Sequence, residues 1–153
     1  MNALSYISKI REKIGHDLLI YPGAGVIVYR EGEILLQKRQ DNGCWAIHGG
    51  GLEPGEEFEG TAVRELFEET GLKAHVLELF GLYAGQDRFL TYPNGDQIYM
   101  PTAVYLCRDF SGKLLAQLEE VSALNWFPFT DLPEKIHPQN QRILNDFLSK
   151  ENL

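Results

Sequence analysis

The stretch from Gly49 to Leu72 constrains this chain more than any other. Three consecutive glycines, Gly49-Gly50-Gly51, lead through Pro54-Gly55 into a run from about Glu56 to Thr70, and Gly71 follows. Proline near the start and glycine just past the end predict a helix bounded on both sides. Within it, Glu65, Glu68 and Glu69 stand three and four positions apart, so their carboxylates share one face. Ala62, Val63, Leu66 and Phe67 fall mostly on the other side and are expected to pack on a sheet.

Such an acidic ridge is unfavourable by itself. Like charges at this spacing destabilise an isolated helix by ~0.2–0.5 kcal/mol per pair. A hard divalent cation removes the conflict: oxygen ligands suit Mg²⁺, which keeps several waters and commonly bridges carboxylates to substrate phosphate. Mn²⁺ is the natural substitute. The alternative reading of the ridge is a solvated acidic face. Read as a plain turn, the three glycines carry no chemistry; read with the ridge, they let backbone approach metal and phosphate where a Cβ would obstruct.

Around this helix the patterning is mostly β. Leu18 to Arg30 and Glu33 to Arg39 are rich in Ile, Val, Leu and Tyr and are divided by Glu31-Gly32, which predicts a strand pair. Val76 to Tyr83 and Leu124 to Phe129 read as further strands. Asn94-Gly95 between Tyr-containing runs predicts a hairpin, and Pro101 is expected at a bulge or edge. Leu4, Ile7, Ile10 and Ile14 recur at helical spacing before Gly15, predicting a first helix over about 3–14. Ile143, Leu144, Phe147 and Leu148 mark a final amphipathic helix after a loop opened by Pro133.

At 153 residues, 44% hydrophobic and 24% charged, the chain is expected to fold as one domain over 1–153. A net charge of −8 argues against a broad grip on nucleic-acid backbone, which needs Lys and Arg to displace counterions. A polyanionic substrate must then be met by metal or by local basic residues. No segment has the apolar length of a membrane span or the pattern of a signal peptide. Cys44 and Cys107 fit no metal spacing, and a reducing cytoplasm is the simpler expectation. A monomer or homodimer is expected.

Gly50, Glu56, Arg64, Glu65, Leu66, Glu68, Glu69, Gly71 and Leu72 fit G-x5-E-x7-R-E-U-x-E-E-x-G-U, with U a bulky aliphatic residue. The chain therefore resembles the Nudix hydrolases, with the motif at 50–72. Seven of the positions demand one residue type, so chance agreement at one start point is roughly 10⁻⁹. The resemblance implies an α/β/α sandwich with a mixed, mainly antiparallel sheet between helices. It also implies Mg²⁺-dependent hydrolysis of a diphosphate linkage in a nucleoside triphosphate or other nucleoside diphosphate derivative, as in MutT-like members. It maps the metal ligands onto Glu65, Glu68, Glu69 and the Gly49 carbonyl, and gives Glu56 and Arg64 a supporting role for the geometry of loop and helix. Without it, Glu56 and Arg64 would read as an exposed ion pair worth ~0–1 kcal/mol.

The resemblance reaches other residues less directly. The expected mechanism is in-line attack of water on phosphorus with one carboxylate as base. Family members differ in which glutamate serves, and a later loop often supplies it; Glu119 and Glu120 are the candidates, Glu120 by position, against a solvated loop pair. Arg39, at a strand end, lies where many members carry a phosphate-contacting arginine, against an ordinary exposed arginine. Ile136-His137-Pro138-Gln139-Asn140 resembles the MutT-type segment in which asparagine reads a purine, whereas general preference makes Asn140 a helix N-cap. His48 stands where the family often has proline, and its role is open. Two other function classes remain: a nucleotide sensor without turnover, and removal of pyrophosphate from RNA 5′ ends, which the acidic composition disfavours.

Overall fold

In a computed structural model of the protein, residues 5–115 and 121–151 are described. Their order is α1 (Tyr6–Ile14), β1 (Leu19–Ile20), β2 (Gly23–Arg30), β3 (Glu33–Arg39), β4 (Trp45–Ala46), β5 (His48–Gly51), α2 (Phe58–Thr70), β6 (Leu72–Tyr83), a 3₁₀ turn (Gln86–Arg88), β7 (Phe89–Thr91), β8 (Gln97–Tyr99), β9 (Thr102–Gly112), β10 (Val121–Pro128) and α3 (Pro138–Lys150). The main sheet runs β10-β3-β2-β9-β6, with β4 paired to β3 and β5 to β2. Among the described residues of this sheet, β2 and β9 pair in parallel and the other pairs are antiparallel.

The alternation of β2 builds both layers. Val26 and Val28 pack with Ala62 and Leu66 of α2, while Ile27 and Tyr29 pack with Ile143, Leu144 and Phe147 of α3. A strand covered on both faces reads as a continuous apolar run, as Gly23–Tyr29 does. This is the expected mixed-sheet sandwich. The β2–β3 turn uses Glu31 and Gly32 at positive φ, 36° and 79°, the conformation a two-residue hairpin needs.

Four sequence expectations change. The run from Leu18 to Arg30 is two strands in different sheets, because Pro22 has no N–H to continue a ladder. Tyr21 N–H donates to the Tyr99 carbonyl, whereas Gly23 N–H donates to the Pro101 carbonyl. Pro101 lies between β8 and β9 rather than in a strand. Phe67 does not pack on the sheet but stays 58% exposed, since the buried stripe of α2 is carried by Ala62 and Leu66. The glycine triplet is itself strand, the end of β5, paired Gly51 to Gly23, Gly50 to Ala24 and Gly49 to Gly25.

Gly71 closes α2 in the left-handed conformation with its N–H on the Phe67 carbonyl. The Asn94-Gly95 hairpin forms as expected between β7 and β8 and joins β1 in a second, three-stranded sheet. The first helix begins at Tyr6, capped by Ser5; Leu4 lies outside the described residues. No helix among the described residues is long and apolar enough to cross a membrane. Cys44 and Cys107 are both buried free thiols.

Candidate functional site

A cleft of ≈ 410 Å³ opens where β5, α2, the end of β3, the β7–β8 hairpin and the start of α3 meet. Its size suits a small organic ligand. Glu65, Glu69 and all three glycines of the triplet line it, but Glu68 does not.

The ridge residues make three different sets of contacts. Glu69 is buried, with Gly49 N–H donating to Oε2 at 3.0 Å and the Gln37 amide to Oε1 at 3.3 Å. Glu65 lies on Gly50 so closely that a Cβ there would overlap its carboxylate. Glu68 is half-exposed and, among the described residues, reaches only the Arg64 guanidinium, at 3.4 Å. Arg64 Nη1 also donates to Glu65 at 2.9 Å, so one cation sits between Glu65 and Glu68. Among the described residues, no three acidic, His or Cys groups already converge as a metal cluster. The donor set is nonetheless one that suits a hard cation: carboxylates from one helix face meeting backbone without side chains.

Arg64 organises the loop before α2. Its Nε and Nη2 donate to the two oxygens of Glu56 at 2.7 and 2.8 Å, and Nη2 also reaches the Gly51 carbonyl at 3.2 Å. Glu56 further accepts from Thr61 Oγ1 and Glu53 N–H, both at 2.9 Å. The hydrogen bonds from Arg64 hold the Glu56 carboxyl down at about 2. The pair is therefore a knot fixing glycine strand, loop and helix together, beyond an exposed ion pair.

His48 is fully buried, with Nδ1 3.3 Å from Gln37 Oε1 and Nε2 3.2 Å from the Leu35 carbonyl. Burial pushes its imidazole down to about 4, so it is neutral at neutral pH. It touches Gln37, which touches Glu69. Tyr21, unforeseen from sequence, packs where a Cβ on Gly51 would be, and burial together with Glu53 and Glu65 raises its phenol to about 12.

Arg39 lines the cleft but is clamped by Asp41, Nε to Oδ1 at 3.0 Å and Nη2 to Oδ2 at 2.9 Å. Asn140 is not the N-cap of α3. That position is His137, whose Nδ1 accepts from Gln139 N–H at 3.1 Å, because the Pro138 ring occupies the first helical turn. Asn140 instead accepts from Ile47 N–H through Oδ1 at 2.9 Å, and its amide NH₂ has no partner among the described residues. Arg88 also lines the cleft; it is buried, and its Nη2 has no hydrogen-bond partner among the described residues. Nothing in the local run Gln86-Asp87-Arg88 signals this. Glu119 and Glu120 lie outside the described residues.

The sheet thus lies between α2 and α3, with a glutamate ridge laid on a glycine strand. The sequence profile of the NUDIX domain matches residues 20–147. The chain is 33% identical over 151 residues to the ADP-ribose pyrophosphatase of Methanocaldococcus jannaschii, covering 95% of this chain and 85% of that one. It is 32% identical over 133 residues to a MutT-like protein of Streptomyces ambofaciens, covering 87% and 79%. The crystal structure of a MutT NUDIX hydrolase from Burkholderia pseudomallei superposes with a TM-score of 0.73 at 30% identity, covering 84% of this chain and 98% of the other. The chain belongs to the Nudix family of pyrophosphohydrolases.

Proposed function

We propose that this enzyme hydrolyses the diphosphate linkage of a nucleoside triphosphate or another nucleoside diphosphate derivative with Mg²⁺ at the α2 ridge. One observation carries the reading: Glu65 and Glu69 meet the Cβ-free backbone of β5 inside a cleft that also holds Asn140 and Arg88. Glu65, Glu68, Glu69 and the Gly49 carbonyl would hold the cation, which Mn²⁺ can replace. When bound, it neutralises charge on the phosphate oxygens.

The chain's own groups supply the rest. Gln37 and Gly49 N–H fix the Glu69 carboxylate from two sides. Arg64 keeps Glu65 and Glu68 together and ties them to Glu56. Arg39, held flat by Asp41, presents guanidinium to phosphate. For the general base that takes a proton from the attacking water we propose Glu120, chosen by sequence position over Glu119.

Arg88 Nη2, buried without a partner among the described residues, and the Asn140 amide at the cleft favour a ligand rich in acceptors. A guanine-type edge offers two, O6 and N7, where adenine offers one beside a donor. Both an ADP-ribose pyrophosphatase and MutT-like proteins stand among the relatives, so the substrate panel spans both. Incubation with nucleoside triphosphates, ADP-ribose and triphosphorylated RNA, with and without Mg²⁺, should release phosphate, pyrophosphate or nucleoside monophosphate from a small nucleotide only with metal. Tight binding without turnover would convert the reading to a sensor, and turnover of RNA alone would replace the substrate class.

A further inference from the structure

Helix α1 lies outside the span matched by the NUDIX domain, yet it reaches the cleft. Ile7 lines it together with Tyr92 and Ile98 of the β7–β8 hairpin region, and the same three residues border a shallow recess between α1 and the hairpin. No residue of α1 is buried. A helix of nine residues has little stability of its own in water, so packing alone does not account for its position.

Arg11 supplies the attachment. Its Nη1 donates to the carbonyls of Gly15 at 3.1 Å and Asp17 at 2.6 Å, and its Nη2 to that of Gln97, across the gap to β8, at 2.7 Å. Its Nε is 3.6 Å from Asp96, whose carboxylate also meets His16 Nδ1 at 2.7 Å. Gln97 N–H donates back to the His16 carbonyl at 3.3 Å. One side chain thus latches α1 to the hairpin and sets Ile7 at the cleft.

We infer that Ile7, latched in place through Arg11, is a specificity-determining wall of the substrate site that packs against the face of the nucleotide base. The inference rests on the proposed nucleotide reading. Ile7, Tyr92 and Ile98 present apolar surface to the cleft, and burying phosphate against such a wall would strip it of hydration with no compensating partner. Sugar hydroxyls face the same objection. A base offers a flat apolar face, and closing on it would complete the burial that α1 lacks in the protein alone.

The test is calorimetric titration of the full chain with GMP, AMP and ribose 5-phosphate, alongside steady-state kinetics on the best substrate of the panel. Ile7→Ala should weaken the tighter-binding mononucleotide about tenfold and raise KM by a similar factor with kcat within twofold, as expected for lost uniform binding. Ribose 5-phosphate binding should be unchanged. Arg11→Met should shift both in the same direction, and Lys9→Ala, on the exposed face of α1, neither. Mononucleotide binding unaltered in Ile7→Ala, or weakened equally for ribose 5-phosphate, overturns the wall. Wild-type protein that turns over no nucleotide overturns the proposed function instead, and the mononucleotide titration still reads Ile7 separately.

Discussion

Arg64 and Glu56 are joined by two charge-assisted hydrogen bonds, Nε to Oε2 at 2.7 Å and Nη2 to Oε1 at 2.8 Å, across the loop that links the glycine strand to the glutamate helix. The geometry makes Arg64 a shared counter-ion, because its Nη1 continues to Glu65 and Glu68.

Stability should follow that pair. The Glu56 carboxyl is held at about 2 in the folded chain, below the usual value of about 4.3 in unfolded chains. Its contribution is therefore present above the unfolded value and is lost as pH falls through that window. Urea denaturation should show Glu56→Gln costing on the order of 1–3 kcal/mol at pH 7, with the difference from wild type shrinking between about pH 4.3 and the folded value of about 2. A difference that stays constant across that interval would contradict the assignment.

Gly50→Ala separates fold from site. The added Cβ would collide with the Glu65 carboxylate, the far end of a flexible side chain, so the fold should survive while Glu65 is displaced. Turnover should fall by one to two orders of magnitude with the thermal midpoint nearly unchanged. Gly49→Ala would instead collide with the Ala24 carbonyl, which is backbone, and should destabilise by ~1–3 kcal/mol. Equal effects of the two in thermal melts would refute this division.

Asn140→Asp and Asn140→Leu should differ in kind. Aspartate keeps the acceptor for Ile47 N–H but replaces the NH₂ donor with a charged acceptor oxygen, so stability should hold while KM rises at least about tenfold, the scale of one lost specific contact. Leucine strands the Ile47 N–H and should cost ~1–3 kcal/mol of stability as well. Melting curves and Michaelis parameters on the same preparations decide it.

Arg88→Met should raise KM without lowering stability. The buried Nη2 has no partner among the described residues, burial lowers the guanidinium's basicity, and Asp87, which loses a 3.3 Å bond from Arg88 Nε, keeps two hydrogen bonds from Arg142, both 2.8 Å. Replacing a buried cation that carries an unsatisfied donor with apolar volume is commonly neutral or stabilising where its carboxylate keeps another partner. A substantially lower melting temperature would show that Arg88 serves the fold.

The sequence was most informative where one period or one glycine decides the outcome. Helix α2 with its Gly71 cap, the Glu31-Gly32 turn and the Asn94-Gly95 hairpin were all legible, because each depends on local backbone preference. Splitting of the Leu18–Arg30 run was legible only in hindsight from Pro22, since alternation cannot say which sheet a strand joins. Phe67 was misplaced because helical spacing defines a stripe too broadly to say which edge the sheet covers. Within the site, spacing along one helix placed Glu65, Glu68 and Glu69 on one ridge, and the Arg39–Asp41 clamp and the His137 cap join residues only two apart, whereas Tyr21 against Gly51 and Arg88 in the cleft depend on contacts between distant segments. Such contacts leave no local signal.

Manganese titration followed by electron paramagnetic resonance tests the central claim most directly. Wild-type protein should bind Mn²⁺ and release it to excess Mg²⁺, and Glu69→Gln or Glu65→Gln should loosen that binding by ten- to a hundredfold with unchanged far-ultraviolet circular dichroism. Wild-type protein that binds no Mn²⁺, or glutamine variants that bind it as tightly, would contradict a metal site on the α2 ridge.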